Sequence, residues 1–99
     1  MEKVTSLIIL YDLYGELLTK KQKDYFVAYY FNNLSLSEIS DNFEVSRNAI
    51  HKQLKIIEQK LYYYEEKLKL LTKSKKLNEI INSINDKPLK EKLIAIDLI

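Results

Sequence analysis

Apolar residues recur at intervals of three and four along most of this chain, the period of a helix with one buried face. Val4, Leu7, Ile8, Tyr11 and Tyr14 predict a first helix over residues 3–13, with Gly15 placed to close it in a left-handed cap. Ile9 and Leu10 widen the stripe, so this helix is either gripped by two neighbours or keeps an apolar strip exposed. Thr19 and Gln22 fit a capping box opening a second helix over residues 20–31, which carries Tyr25, Phe26, Tyr29, Tyr30 and Phe31. Aromatics at this spacing read first as core. A base-stacking surface is the alternative, and the nearby acids Asp12, Glu16 and Asp24 count against it.

The most informative stretch is residues 34–54, LSLSEISDNFEVSRNAIHKQL. Ser35 and Glu38 form another capping box, and Ile39 and Phe43 lie one turn apart on the short helix it opens. Val45 follows a one-residue step, Ser46 can cap the next helix, and Ile50 and Leu54 repeat the four-residue spacing there. The five apolar side chains can meet in one small core across a bend at Glu44. That arrangement predicts a helix-turn-helix, whose second helix presents its first turn to a partner.

From Ser46 the pattern runs without a breaker to about Leu71, close to 40 Å if continuous. Ile50, Leu54, Ile57, Leu61, Tyr64, Leu68 and Leu71 alternate spacings of four and three, the a/d pattern of a coiled coil. The expected dimer interface is Ile57, Leu61, Tyr64, Leu68 and Leu71. Ile56, Tyr63 and Leu70 broaden the stripe, so that the helix can serve its own domain and a neighbour. Residues 72–76 read as a polar, lysine-rich junction before a helix carrying Leu77, Ile80, Ile81 and Ile84. After a break at residues 85–88, Asp86 can cap a last helix with Pro88 in its first turn and Leu89, Leu93, Ile96 and Leu98 along it. These tail helices can fold back on the long helix, join a partner or stay free.

One glycine and one proline leave few positions for tight turns, which argues against a sheet protein with many hairpins. The predicted fold is therefore all-α: a helix-turn-helix head with a long C-terminal recognition and dimerisation helix over residues 1–72, and a basic amphipathic tail of two short helices over residues 73–99. Absence of cysteine removes disulfides and thiolate metal sites and leaves the cytoplasm as the expected location. The apolar run from Leu7 to Tyr11 is far shorter than the roughly 20 residues of a membrane helix, so no membrane insertion is expected. The net charge of +2 is uneven. Residues 1–45 carry four lysines against seven acids, while residues 67–99 are +4. A basic tail suits a polyanion, yet 15 lysines against one arginine fit equally a lysine-rich compositional bias.

Catalysis finds little material, since a nucleophile needs a base and an orienting group and the chain offers one histidine, His51, and no cysteine. Glu65 and Glu66 are adjacent rather than one turn apart, so they do not make a metal pair, and no glycine-rich phosphate loop exists. No enzymatic activity, metal or cofactor is expected. Nucleic-acid binding has better material: Ser46, Arg47, Asn48, His51, Lys52 and Lys55 line the predicted outer side of the second helix. They offer a hydroxyl and cations for phosphates, with Arg47 and Asn48 for base edges. Residues 34–60 nevertheless balance four positive against four negative side chains, which predicts weak affinity for duplex DNA.

The run LYGELLTKKQKDYFVAYYFNNLSLSEISDNFEVSRNAIHKQLKIIEQKLYYYEEKL resembles the YlxM family of small helix-turn-helix proteins, similar in fold to sigma-factor region 4. The likeness covers about residues 2–72. LLTKKQKDY resembles the helix-opening motif, SLSEISDNFEVSRNAI the two helices of the turn, and Ser40 and Glu44 depart from sigma-type sequences. The resemblance implies a dimeric regulatory protein of the signal recognition particle pathway, with the particle's GTPase or its RNA as partner and with Ser46, Arg47, Asn48, His51 and Lys52 as recognition residues. Two alternatives stand beside it: a transcriptional regulator reading duplex DNA, and a protein-interaction scaffold that binds no nucleic acid.

Overall fold

Six α-helices run through the described residues, 2–97 of a computed structural model: α1 (Glu2–Tyr14), α2 (Lys20–Phe26), α3 (Leu36–Phe43), α4 (Arg47–Leu68), α5 (Leu70–Asn82) and α6 (Lys87–Asp97). A 3-10 turn, Gly15–Leu17, follows α1, and α2 continues directly into a π-helical turn, Val27–Phe31. No strand occurs among these residues. Leu98, expected on the last helix, lies outside them.

The helix starts form where local capping chemistry allows them. Thr19 Oγ1 accepts the Gln22 amide while the Gln22 side chain accepts the Thr19 amide, and Ser35 and Glu38 repeat the reciprocal pair. Ser46 Oγ accepts from the Ala49 amide and opens α4, and Asp86 accepts from the Leu89 amide at the start of α6. Gly15 is not the left-handed cap expected of it, because no glycine here has positive φ. Its missing side chain matters for a different reason: a Cβ would lie 3.1 Å from the Tyr11 ring.

Helix α4 is the spine, and α1, α2 and α3 all pack on it. Leu7, Leu10 and Tyr14 from α1, Tyr25 and Phe26 from α2, Ile39 from α3, and Ile50, Leu54, Ile57 and Leu61 from α4 form one buried cluster. Of the aromatic run on residues 25–31, Tyr25, Phe26 and Tyr30 belong to this core, while Tyr29 and Phe31 are exposed. Phe26 stacks parallel on Tyr11 with centroids 4.4 Å apart, and Tyr25 meets Phe43 edge-to-face at 5.0 Å, tying α2 to α3.

Two expectations about the long helix are corrected. It does not run unbroken to Leu71; it stops at Lys69, which adopts φ 55° and starts α5 at once. Residues 72–76 are consequently inside α5 rather than a junction. The cause lies outside the local sequence: the Glu65 carboxylate turns back to accept the amides of Leu71 and Thr72 and the Thr72 hydroxyl, while Tyr14 donates to it at 2.6 Å and accepts from the Leu70 amide. The second correction concerns the seam. Ile57 and Leu61 are completely buried in the chain's own core, and Tyr64 and Leu71 pack against that core. Of the five residues expected at a dimer surface, Leu68 alone is exposed. An a/d stripe states that a helix has a partner but not whether the partner is intramolecular, and here α1 and α2 fill that role.

The tail folds back. Helix α5 returns along α1 with Ile81 buried, and α6 packs on α5. Among the described residues, no helix is long and apolar enough to cross a membrane.

The bend between α3 and α4 is made by Glu44, a non-glycine residue in the left-handed region at φ 55°, ψ 42°. Such a conformation crowds Cβ against the next carbonyl at a cost of about 1 kcal/mol. Glu44→Gly is therefore expected to stabilise the chain by about 0.5–1 kcal/mol, raising Tm by about 2–8 °C. A lower Tm in thermal melts would show that the Glu44 side chain itself holds the turn.

Candidate nucleic-acid interface

The corner that presents the first turn of α4 is fixed from both sides. Its backbone closes through the Val45 amide on the Ser40 carbonyl at 3.2 Å, and the Ser40 hydroxyl donates in return to the Val45 carbonyl. Ser40, a departure from sigma-type sequences, thus pins the bend with a bond that alanine could not make. Val45 and Phe43 pack half-buried against the core beneath it.

From this corner α4 points Ser46, Arg47, Asn48, His51, Lys52 and Lys55 outward, and all six are exposed. The reason is angular. At 100° per residue, Ile50, Leu54 and Ile57 define the inward direction; positions 48, 52 and 55 fall on the far side, 51 lies on the flank, and 47, angularly nearer the core, is exposed at the open first turn, the set spanning about 12 Å of helix. That length matches the width of a nucleic-acid major groove, about 12 Å in B-DNA. The face can supply cations to phosphates and, at Arg47 and Asn48, planar donor groups to base edges.

Arg47 is not free. Its Nη1 donates to Ser37 Oγ at 3.3 Å, which lays the guanidinium across the corner toward α3. Among the described residues Arg47, Lys52 and Lys55 enter no ion pair, so their charges are available. Exposed Glu38 and Asp41 on α3 and Glu44 at the bend oppose them and lower the net field of the face.

Deeper along α4, Glu58 is held in place by two neighbours. Tyr30 donates to it at 2.7 Å and Lys3 of α1 pairs with it at 3.5 Å. Burial, followed by the Glu58 carboxylate, pushes the Tyr30 hydroxyl far above its ordinary value, so it stays protonated and keeps donating. His51 and Lys55 share a groove with this pair. Sequence reasoning missed Lys3, Ser37 and Tyr30 as neighbours of the face, because each arrives through tertiary packing and leaves no periodic signal. No group of three or more possible metal ligands gathers among the described residues.

Comparison with known proteins agrees with this geometry. Residues 1–98 match the model of a family described as "Putative helix-turn-helix protein, YlxM / p13 like". The YlxM protein of Bacillus subtilis is 43% identical over 86 residues, covering 87% of this chain and 78% of the relative. A relative from Geobacillus kaustophilus is 42% identical over 86 residues with the same coverage, and one from Listeria innocua is 43% identical over 83 residues, covering 84% of this chain and 76% of its own.

Proposed function

The chain belongs to the YlxM / p13-like family of helix-turn-helix proteins, and on that premise we propose that it is a non-enzymatic regulatory protein of the signal recognition particle pathway which binds the particle's RNA through the first turns of α4. The observation that carries the reading is the exposed set Ser46, Arg47, Asn48, His51, Lys52 and Lys55, raised on a corner whose Ile39, Phe43, Val45 and Ile50 pack into the core. The acidic neighbours Glu38, Asp41 and Glu44 lower the field for any polyanion, so the reading draws on a folded RNA recognised through shape and a few contacts rather than on many neutralised phosphates.

Binding of the full chain to particle RNA, followed by fluorescence anisotropy, tests this. Arg47→Ala is expected to weaken RNA binding by about 5- to 100-fold. Lys52→Ala is expected to lower the dependence of log affinity on log salt by about one unit. If both variants bind like the wild type while the particle's GTPase is still captured, the face is a protein-interaction scaffold. A second reading, transcriptional control, draws on the position of Arg47 and Asn48 in the first turn, where recognition helices contact bases. A specific duplex bound tightly, with a steep salt response and loss on Arg47→Ala, would favour it instead.

A further inference from the structure

Beside the recognition row lies a groove walled by α1, the π turn and α4, and enclosing about 240 Å³. Its chemistry differs from that of the row. Lys3, His51 and Lys55 stand along it, all exposed, and Tyr29 stands at its edge. The one carboxylate lining the groove, Glu58, is engaged by Tyr30 and Lys3, and Lys55 enters no ion pair among the described residues.

Tyr29 is the informative residue. It belongs to an aromatic run in which Tyr25, Phe26 and Tyr30 build the core, and like Phe31 it stays exposed, at 37%. The π turn is responsible, since its wider ring of backbone atoms shifts the register of Val27–Phe31 relative to a regular helix. Tyr30 holds the Tyr29 ring edge-to-face at 5.0 Å and 85°, so the ring is positioned before any ligand arrives. A fixed exposed aromatic flanked by cations is the chemistry that holds an unpaired base and its phosphates. A paired helix would offer this groove only its backbone, because its bases are stacked inside.

We propose that the groove between Lys3, Tyr29 and Lys55 seats a single unpaired nucleotide of a bound RNA, the base against Tyr29 and the flanking phosphates on Lys3 and Lys55. This rests on the RNA-binding reading of α4 and extends it, since His51 and Lys55 belong to both surfaces. The volume fits that ligand. Pockets enclosing drug-sized molecules run to roughly 300–1,000 Å³, and this smaller, half-open groove has a size that suits one base.

The test uses three RNA hairpins of the same paired sequence, each closed by a non-nucleotide linker in place of a loop: one fully paired, one with a single-nucleotide bulge, and one with the same bulge made abasic. The wild-type chain is expected to bind the bulged hairpin about 5- to 100-fold more tightly than the other two. Tyr29→Ala should abolish that preference and leave affinity for the paired hairpin unchanged, while Tyr29→Phe should retain it. Because the abasic comparison uses wild-type protein, it stands even if Tyr29→Ala fails to fold. Equal wild-type affinity for all three hairpins overturns the groove and leaves the α4 reading intact. Binding to none of them, or binding indifferent to Arg47→Ala, overturns the α4 reading and the groove with it.

Discussion

Leu61→Lys is expected to unfold this chain. Leu61 has no exposed surface and lies in the cluster where α4 meets α1 and α2. Replacing it forfeits the transfer of a leucine side chain, about 1.5–3 kcal/mol, and asks the same space to hold an ammonium without a partner, which costs several kcal/mol more after relaxation. The sum is comparable to the whole stability of a domain this size, about 5–15 kcal/mol. Circular dichroism at 25 °C should show the helical signal largely lost and no cooperative melt. Leu68→Lys, at a position 46% exposed, should stay within about 0.5 kcal/mol of the wild type. A well-folded Leu61→Lys monomer would mean that the a/d seam faces a second copy and that α1 and α2 pack elsewhere. With Ile57 and Leu61 occupied internally, that seam is not open to a second copy.

The contrast between these two leucines shows what was legible in the chain and what was not. Thr19 with Gln22, Ser35 with Glu38, and Ser46 were readable because a cap is made by residues three apart, and the structure forms all of them. The corner at Glu44 was readable because Phe43 and Ile50 had to share one core. So was the exposure of Asn48, Lys52 and Lys55, which follows from the inward direction of Ile50 and Leu54. The direction of the a/d stripe was not readable, since periodicity carries no information about which chain supplies the partner. Nor was the break at Lys69, a residue with no breaking tendency of its own: the elbow is held by Glu65 together with Tyr14, which lies fifty-five positions from Lys69 in sequence. The same limit hid the groove beside α4, where Lys3 and Tyr29 come from two other elements.

That break supplies the second large expected effect, Glu65→Ala, which should free α5 and α6 from the head without melting it. One carboxylate accepts from the Tyr14 hydroxyl, the Leu71 and Thr72 amides and the Thr72 hydroxyl, and so satisfies two of the amides that the first turn of α5 leaves unbonded. Removing it leaves those donors to water or to nothing, a loss of about 2–3 kcal/mol when a charged acceptor is deleted. The loss is local because the helices of the head keep their own core. Hydrogen exchange should therefore accelerate about 10- to 100-fold at α5 amides and hardly change at Ile39 or Ile57. Acid should act in the same way. Burial alone would raise the Glu65 pKa, but the hydrogen bonds from Tyr14, Leu71 and Thr72 outweigh it and hold the carboxyl below its ordinary value of 4.5. A carboxyl depressed on folding contributes its full stabilisation above that ordinary value and loses it as pH falls through the lower, folded one. Protection of α5 should thus be flat near neutral pH, decline below about pH 4.5 ahead of α3 and α4, and show no such step in Glu65→Ala. Equal acid sensitivity of α5 and α4, or α5 protection untouched by the substitution, would mean that apolar contact between α5 and α1 holds the tail and that the carboxylate only decorates the elbow.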